Sequence, residues 1–217
     1  MKGLKGILIK DISIIKNQLF IVVGIIIFYI AATALSKDTA YVASFAGSYA
    51  GSYNVVLMTM LPVTLLGYDE KNKWGRYSAA MPVSRKANVV SKFVVMLGMS
   101  AINAVVLGIV FYITGRDDMV TFIIAILGAS LFTGSLVTVL AYKFGSNNAR
   151  FIFIGVLLIA FIFIAYSARY NWEFIGNEFS LDGSGLKTLV LGFLAFSLLV
   201  SLACMMASIH IYQNKDL

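Results

Sequence analysis

The chain has 217 residues, of which 60% are hydrophobic and 12% charged, with a mean hydropathy of +0.90 and a formal net charge of +7. Soluble domains contain about 25% charged residues, so a chain with this composition is expected to be embedded in a lipid membrane. We therefore predict an all-α polytopic membrane protein. Short loops between membrane crossings leave no room for a nucleotidase, a kinase or a DNA-binding module, so we expect neither an enzyme by itself nor a nucleic-acid partner.

Residues 1–18 are predicted to form an amphipathic elbow helix. Apolar residues recur at helical spacing from Leu4 to Ile15, and Lys5 and Lys16 fall on the opposite arc. A helix of this kind lies in the inner membrane interface with its lysines toward anionic headgroups. It serves either as a simple anchor or as an elbow that also contacts a cytoplasmic partner.

Six charge-free apolar runs follow, and a helix needs about 20 apolar residues to cross a bilayer. The runs are Leu19–Ser36, Ala40–Tyr68, Phe93–Gly115, Met119–Tyr142, Phe151–Ala168 and Thr188–Ile209. Residues 19–217 are therefore predicted to form one six-span domain. The second run is long enough to tilt or to contain an interfacial turn near Gly47 and Gly51. Small residues in the fourth run, Gly128 and Gly134 among them, indicate close helix packing.

The distribution of positive charge predicts the orientation of the chain. Of the 17 Lys and Arg residues, thirteen lie in the N-terminal segment, the loops after spans two and four, and the C-terminal tail, whereas four lie on the other side. The positive-inside rule places the richer side in the cytoplasm. Both termini are thus predicted to be cytoplasmic.

The predicted spans lack the groups that most membrane chemistry requires. None of the first five contains Asp, Glu, Lys, Arg or His, and such residues mark proton relays and ion pathways. The chain has one histidine, His210, no metal-ligand cluster and no phosphate-binding loop of the G-x-x-x-x-G-K-[ST] type. We expect no metal or cofactor on this chain, and any ATP that the protein uses would be bound by another chain.

The loop at residues 68–88 combines charged residues with large aromatic ones. It reads Tyr-Asp-Glu-Lys-Asn-Lys-Trp-Gly-Arg-Tyr-Ser-Ala-Ala-Met-Pro-Val-Ser-Arg-Lys from Tyr68 to Lys86. Trp, Tyr and Arg are common anchors of protein interfaces. A short helix is predicted after Gly75, with Pro82 ending it and Ser84 capping the next helix.

This run resembles the first cytoplasmic loop of ABC-2-type transporter permeases. The topology is similar to that of small six-span permeases of Gram-positive bacteria, including the permease subunits of phenol-soluble modulin exporters. The resemblance implies a cytoplasmic coupling helix that docks in a groove of a separate ABC ATPase subunit, which would bind ATP and Mg. The implied coupling residues are Glu70, Lys73, Trp74, Gly75, Arg76, Tyr77, Met81, Pro82, Arg85 and Lys86.

The resemblance also implies that the protein lies in the bacterial cell membrane, with a second permease, identical or related, and a transport pathway between the two. Lys143–Arg150 would then be a minor second contact with the ATPase, and Tyr170–Lys187 an extracellular insertion. The candidate pathway residues on spans two and five are Tyr49, Tyr53, Asn54, Met58, Phe153 and Phe161. Aromatic and methionine side chains suit an amphipathic peptide or another hydrophobic cargo, although the same residue types also pack between helices.

Two other functions stay open at this point. An ATP-independent facilitator or membrane scaffold would also lack charges in its spans. An immunity permease that removes bacteriocins or antimicrobial peptides would share the architecture and differ only in cargo.

Overall fold

The computed structural model describes residues 4–16, 20, 24, 39–80, 84–113, 120–169 and 183–214, and all regular structure there is helical. The helices are α1 (residues 4–16), α2 (Thr39–Lys71), α3 (Trp74–Ala80), α4 (Arg85–Ile113), α5 (Val120–Phe144), α6 (Ser146–Arg169) and α7 (Gly183–Gln213). The predicted all-α class is confirmed for this part of the chain. Most of the predicted span Leu19–Ser36 and most of the segment Tyr170–Lys187 lie outside the described residues.

Three of the described helices are long and apolar enough to cross a membrane, namely Arg85–Ile109, Val120–Phe144 and Lys187–Gln213. A shorter apolar stretch, Ser146–Ile159, begins α6. At about 1.5 Å per residue, the 33 residues of α2 extend over about 50 Å. These helices support the prediction of a membrane protein.

Helix α2 is continuous, so the turn considered near Gly47 and Gly51 does not form. The helix also continues through Pro62, whose ring nitrogen cannot donate a hydrogen bond. On either side of the proline, the hydroxyls of Thr59 and Thr64 donate to carbonyl oxygens four residues earlier, at 2.7 and 2.9 Å. Such side-chain hydrogen bonds are typical of helices in lipid.

Helix α5 lies at the centre of the described bundle and contacts α2, α4, α6 and α7. Two glycines permit this close approach. A Cβ atom on Gly128 would lie 2.9 Å from the ring of Phe193 in α7, and one on Gly134 would lie 2.9 Å from the sulfur of Met96 in α4. The predicted role of these small residues in helix packing is confirmed.

The faces of α7 show the arrangement expected of a helix in lipid. Ser197, Ser201 and Ser208 are buried toward the bundle, whereas Leu199 and Met206 are 66% and 63% exposed. In water this helix would turn its leucines inward. In a bilayer the apolar surface faces the acyl chains, and small polar residues let neighbouring helices approach closely.

Two helices begin before the apolar runs that predicted them. Helix α4 begins at Arg85, directly after the predicted Ser84 cap and well before its apolar run starts at Phe93, and α6 begins at Ser146 rather than near Phe151. The start of a helix is determined by its cap, whereas the apolar run marks only the part that is out of water. Ser84 provides the predicted cap of α4, since its hydroxyl accepts a hydrogen bond from the Ala87 amide at 3.2 Å.

Candidate functional site

Helix α3 is joined to α2 by a tight turn that places it beside the first turns of α4. Lys73 has a φ of 52°, in the left-handed region, and its carbonyl accepts a hydrogen bond from the Arg76 amide at 3.1 Å. The left-handed residue lets the chain reverse direction within the two residues between the helices. A short helix therefore lies between α2 and α4, where the sequence predicts one.

Asn88 of α4 holds α3 in place. Its side-chain oxygen accepts a hydrogen bond from the indole nitrogen of Trp74 at 3.2 Å, and its amide nitrogen donates to the hydroxyl of Ser78 at 3.3 Å. Asn88 is buried, and the Ser78 hydroxyl donates in turn to the Gly75 carbonyl at 3.0 Å. One buried amide thus binds both turns of α3, which fixes the helix against α4.

A network of four charged side chains joins α1, α2 and α4 next to this contact. The ammonium nitrogen of Lys92 lies 2.7 Å from a carboxylate oxygen of Asp11 and 2.7 Å from one of Asp69. Lys10 lies 2.5 Å from the other Asp69 oxygen and 3.4 Å from Asp11. The side chains of Lys92 and Asp11 are 1% and 0% exposed, and Ser91 donates to Asp11 at 3.0 Å. Two positive and two negative groups alternate, so the network is electrically neutral.

The ion network extends to α3 through an aromatic contact. The ammonium nitrogen of Lys10 lies 4.1 Å from the centre of the Trp74 ring, a distance at which a cation is attracted by the π-electrons. Trp74 therefore has two partners within the chain, Asn88 at its indole nitrogen and Lys10 at its ring face. Helices α1, α2, α3 and α4 meet in a single polar cluster.

The end of α2 is also attached to the beginning of α6. The carboxylate of Glu70 accepts hydrogen bonds from the backbone nitrogen and from the hydroxyl of Ser146. A carboxylate at this position satisfies an otherwise unpaired amide and interacts favourably with the positive end of the helix dipole. The preceding Gly145 has a φ of 89°, a conformation that glycine adopts without steric cost. The two loops that the sequence places on one side of the membrane are thus in contact.

A cavity of about 260 Å³ opens beside these groups, at the ends of α2, α4, α5 and α7. Its lining includes Asp69 and Lys92 of the ion network, together with Lys73 and Arg76. Tyr142 and Tyr212 also line the cavity, and their rings meet edge to face with centres 5.5 Å apart. The described part of the molecule therefore has a recess next to α3 whose lining combines charged with apolar and aromatic side chains.

Comparison with known proteins identifies the family. A sequence model of the ABC-2 family of transporter proteins matches residues 6–213, which is nearly the whole chain. The chain belongs to the ABC-2 transporter family. No curated protein and no solved structure matches it. Membership in the ABC-2 family makes the chain a membrane permease subunit of an ABC transporter, which associates with an ABC ATPase.

The coupling residues predicted for this ABC-2 permease fall into two groups. Lys73, Arg76, Tyr77 and Lys86 are exposed, and Tyr77 is 62% exposed. Glu70 and Arg85 are exposed as well but have partners within the chain, since Glu70 bonds to Ser146 of α6 and Arg85 donates to the Gln213 carbonyl at 2.9 Å. The half-buried Trp74 bonds to Asn88. Gly75 is half-buried, and Met81 and Pro82 lie outside the described residues.

Two of the predicted pathway residues lie in the core of the single permease chain. Met58 and Phe153 are 3% and 5% exposed, and each packs in a cluster of buried apolar side chains. The side chains of Tyr49, Tyr53, Asn54 and Phe161 are outside the described part of the structure.

Sequence reasoning did not single out Asp11, Asp69, Lys92 or Asn88 as site residues. One signal was available for Asp11, which lies four residues from Ile7 and four from Ile15 and so shares their face of α1. Both isoleucines are buried, at 3% and 1% exposure. An acidic residue in the middle of a buried apolar face needs a positive partner, and that requirement predicts an ion pair without identifying the lysine.

Proposed function

We propose that this ABC-2 permease is a six-span exporter subunit that is driven by a separate ATPase chain through α3. The observation that carries the proposal is the arrangement of α3. Asn88 fixes the helix from the inside, while Lys73, Arg76 and Tyr77 are exposed. A helix that is rigidly attached suits docking, because its backbone is already ordered before it binds, and Arg and Tyr are common anchors of protein interfaces.

The proposed topology has six spans and both termini in the cytoplasm. Contacts within the structure support a common side for the segments with most of the positive charge. Lys10 of α1 bonds to Asp69 after the second apolar run, Glu70 bonds to Ser146 between the fourth and fifth, and Arg85 bonds to the end of α7. The N-terminal helix, both loops and the C-terminal end therefore belong to one end of the bundle, as cytoplasmic segments of an even-span protein would.

We further propose that the cargo is an amphipathic peptide, of the phenol-soluble modulin kind, or another hydrophobic molecule. The cargo would move between this permease and a second copy or a related subunit. Since Met58 and Phe153 pack within the single chain, Tyr49, Tyr53, Asn54 and Phe161 are the better pathway candidates on α2 and α6. ATP and Mg would bind to the ATPase chain alone.

Co-purification of the permease with its ABC ATPase partner tests the docking role. We expect the double variant Arg76→Ala/Tyr77→Ala to lose the ATPase in mild detergent while its thermal unfolding is unchanged. A matched control is Tyr112→Ala, which removes a tyrosine that is 78% exposed near the other end of α4. Equal ATPase recovery from both variants would contradict docking through α3.

A transport assay in vesicles distinguishes the proposed ATP-driven exporter from an ATP-independent facilitator. We expect uptake of a fluorescently labelled amphipathic peptide into inverted vesicles that contain permease, ATPase and ATP. The same uptake by permease alone would favour a facilitator.

A further inference from the structure

The ion network of Lys10, Asp11, Asp69 and Lys92 has a geometry that specifies the relative positions of three helices. The carboxylates of Asp11 and Asp69 each lie within 4 Å of both ammonium groups. The ammonium group of Lys92 lies 2.7 Å from a carboxylate oxygen on α1 and 2.7 Å from one on α2. A displacement of α1 from α4 by one helical turn would remove the partner of a fully buried charge. Buried ion pairs of this kind tolerate few arrangements, whereas apolar contacts tolerate many.

Stability alone does not explain the network. A buried ion pair is often no more stabilising than well-packed apolar residues of the same volume, because desolvation of the charges offsets their attraction. Apolar contacts already attach α1 to the bundle, since Ile15 packs with Leu61, Leu65 and Val95 of α2 and α4. The network adds a fixed register between α1 and the helices that flank α3.

The same charges also contact α3. Lys10 lies over the ring of Trp74, whose indole nitrogen is bonded to Asn88 on α4. A movement of α3 that preserved these contacts would have to carry Lys10 and Asp11 with it, together with the rest of α1. The apolar residues Ile9 and Ile12 on the outer side of α1 are 67% and 54% exposed, as expected for a surface that meets lipid.

We propose that the four-residue ion network makes α1 and α3 move as one unit, so that Asp11 and Lys92 are positioning residues of the transport cycle. This inference rests on the proposed docking of α3 to an ATPase. The amphipathic helix is then more than an anchor, because force applied to α3 would displace it within the inner leaflet.

The test measures distances in the reconstituted permease–ATPase complex by pulsed electron spin resonance. Spin labels replace the exposed residues Lys5 on α1 and Asn72 before α3, in a Cys204→Ala background that removes the native cysteine. A reference pair joins Asn72 to Leu199, which is exposed on α7. Distances are compared without nucleotide and with ATP plus vanadate, which traps the closed ATPase.

In the wild-type background we expect the Asn72–Leu199 distance to change with nucleotide and the Lys5–Asn72 distance to stay the same. In the double variant Asp11→Asn/Lys92→Met, which keeps the network neutral, the Lys5–Asn72 distribution should broaden and shift with nucleotide. ATPase co-purification should be unchanged in this variant and its thermal unfolding close to that of the wild type, since Lys10 and Asp69 still pair. A purely structural role would leave the Lys5–Asn72 distance narrow and constant.

The outcomes separate the two proposals. If the wild-type permease does not retain the ATPase, or the reference distance does not respond to nucleotide, the proposed function fails and this inference fails with it. If the reference pair responds but the wild-type Lys5–Asn72 distance also changes, the helices move independently and this inference alone is overturned. A constant Lys5–Asn72 distance in the double variant also overturns this inference. So does a double variant whose thermal unfolding temperature is no higher than that of Lys92→Met alone.

Discussion

The ammonium group of Lys92 lies 2.7 Å from the carboxylate of Asp11, although 81 residues of chain separate them. Both side chains are almost fully buried, and each has a second partner, Asp69 for Lys92 and Ser91 for Asp11. This contact attaches an amphipathic N-terminal helix to the helices that flank α3 in an ABC-2 permease.

Removal of one member of this pair should destabilise the permease strongly. In Lys92→Met, the only charged partner that the Asp11 carboxylate keeps within the network is the more distant Lys10, and a buried charge that loses its close partner costs about 3–5 kcal/mol. The double variant Asp11→Asn/Lys92→Met should recover most of the loss, because no unpaired charge is left. Thermal unfolding in detergent measures both effects, and equal stabilities for the single and double variants would show that the pair does not interact.

Loss of the Asn88 amide should loosen α3 without affecting the rest of the bundle. Trp74→Phe removes one hydrogen bond and should cost about 1 kcal/mol, whereas Asn88→Ala removes two and should cost about twice as much. Hydrogen exchange of the amides in α3 should become faster in the order wild type, Trp74→Phe, Asn88→Ala. The control is Tyr77→Phe, since the exposed ring of Tyr77 should have no influence on exchange.

A methyl group added to Gly128 should disturb the packing of α5 against α7. The new Cβ would lie 2.9 Å from the ring of Phe193 and 3.6 Å from the backbone of Leu194, so the helices would have to separate. Overpacking of this kind costs about 1–3 kcal/mol. Gly192→Ala is the matched control, because nothing lies within 4 Å of its added methyl group. A melting temperature that falls equally in both variants would contradict the packing role.

The contact between α2 and α6 should depend on the carboxylate of Glu70. Glu70→Ala leaves the backbone amide of Ser146 without its cap, and the loss of a cap costs about 0.5–2 kcal/mol. We expect faster hydrogen exchange in the first turn of α6 and unchanged exchange in α3. Lys71→Ala, at an exposed neighbouring position, should change neither helix, and faster exchange in that variant would indicate a general loosening of the loop.

Several elements of this structure could be predicted because their causes are local. The helix at Trp74–Ala80 follows from the residues between two apolar runs, and the cap at Ser84 follows from a side chain that bonds to an amide three residues away. The role of Gly128 and Gly134 follows from their position within a long apolar run. In each case the residues that determine the structure are neighbours in the chain.

The assignment of the coupling residues needed the fold. Trp74 and Glu70 look like docking residues in the sequence, because aromatic and charged side chains in a loop are usually available to a partner. In the structure the indole of Trp74 bonds to Asn88 on α4, and the carboxylate of Glu70 bonds to Ser146 on α6. The partners lie 14 and 76 residues away, beyond the range in which helical spacing identifies a contact.

The sequence by itself determined that this protein is embedded in lipid, that it is helical, and where its short connecting helix lies. Composition and hydropathy report how much apolar surface must avoid water, and caps and prolines act on their immediate neighbours. Only the tertiary structure decided which charges meet. Helical periodicity puts Asp11 on the buried face of α1, but an electrostatic partner is selected by distance in space, and it is the packing of α1 against α2 and α4 that brings Asp69 and Lys92 to that carboxylate.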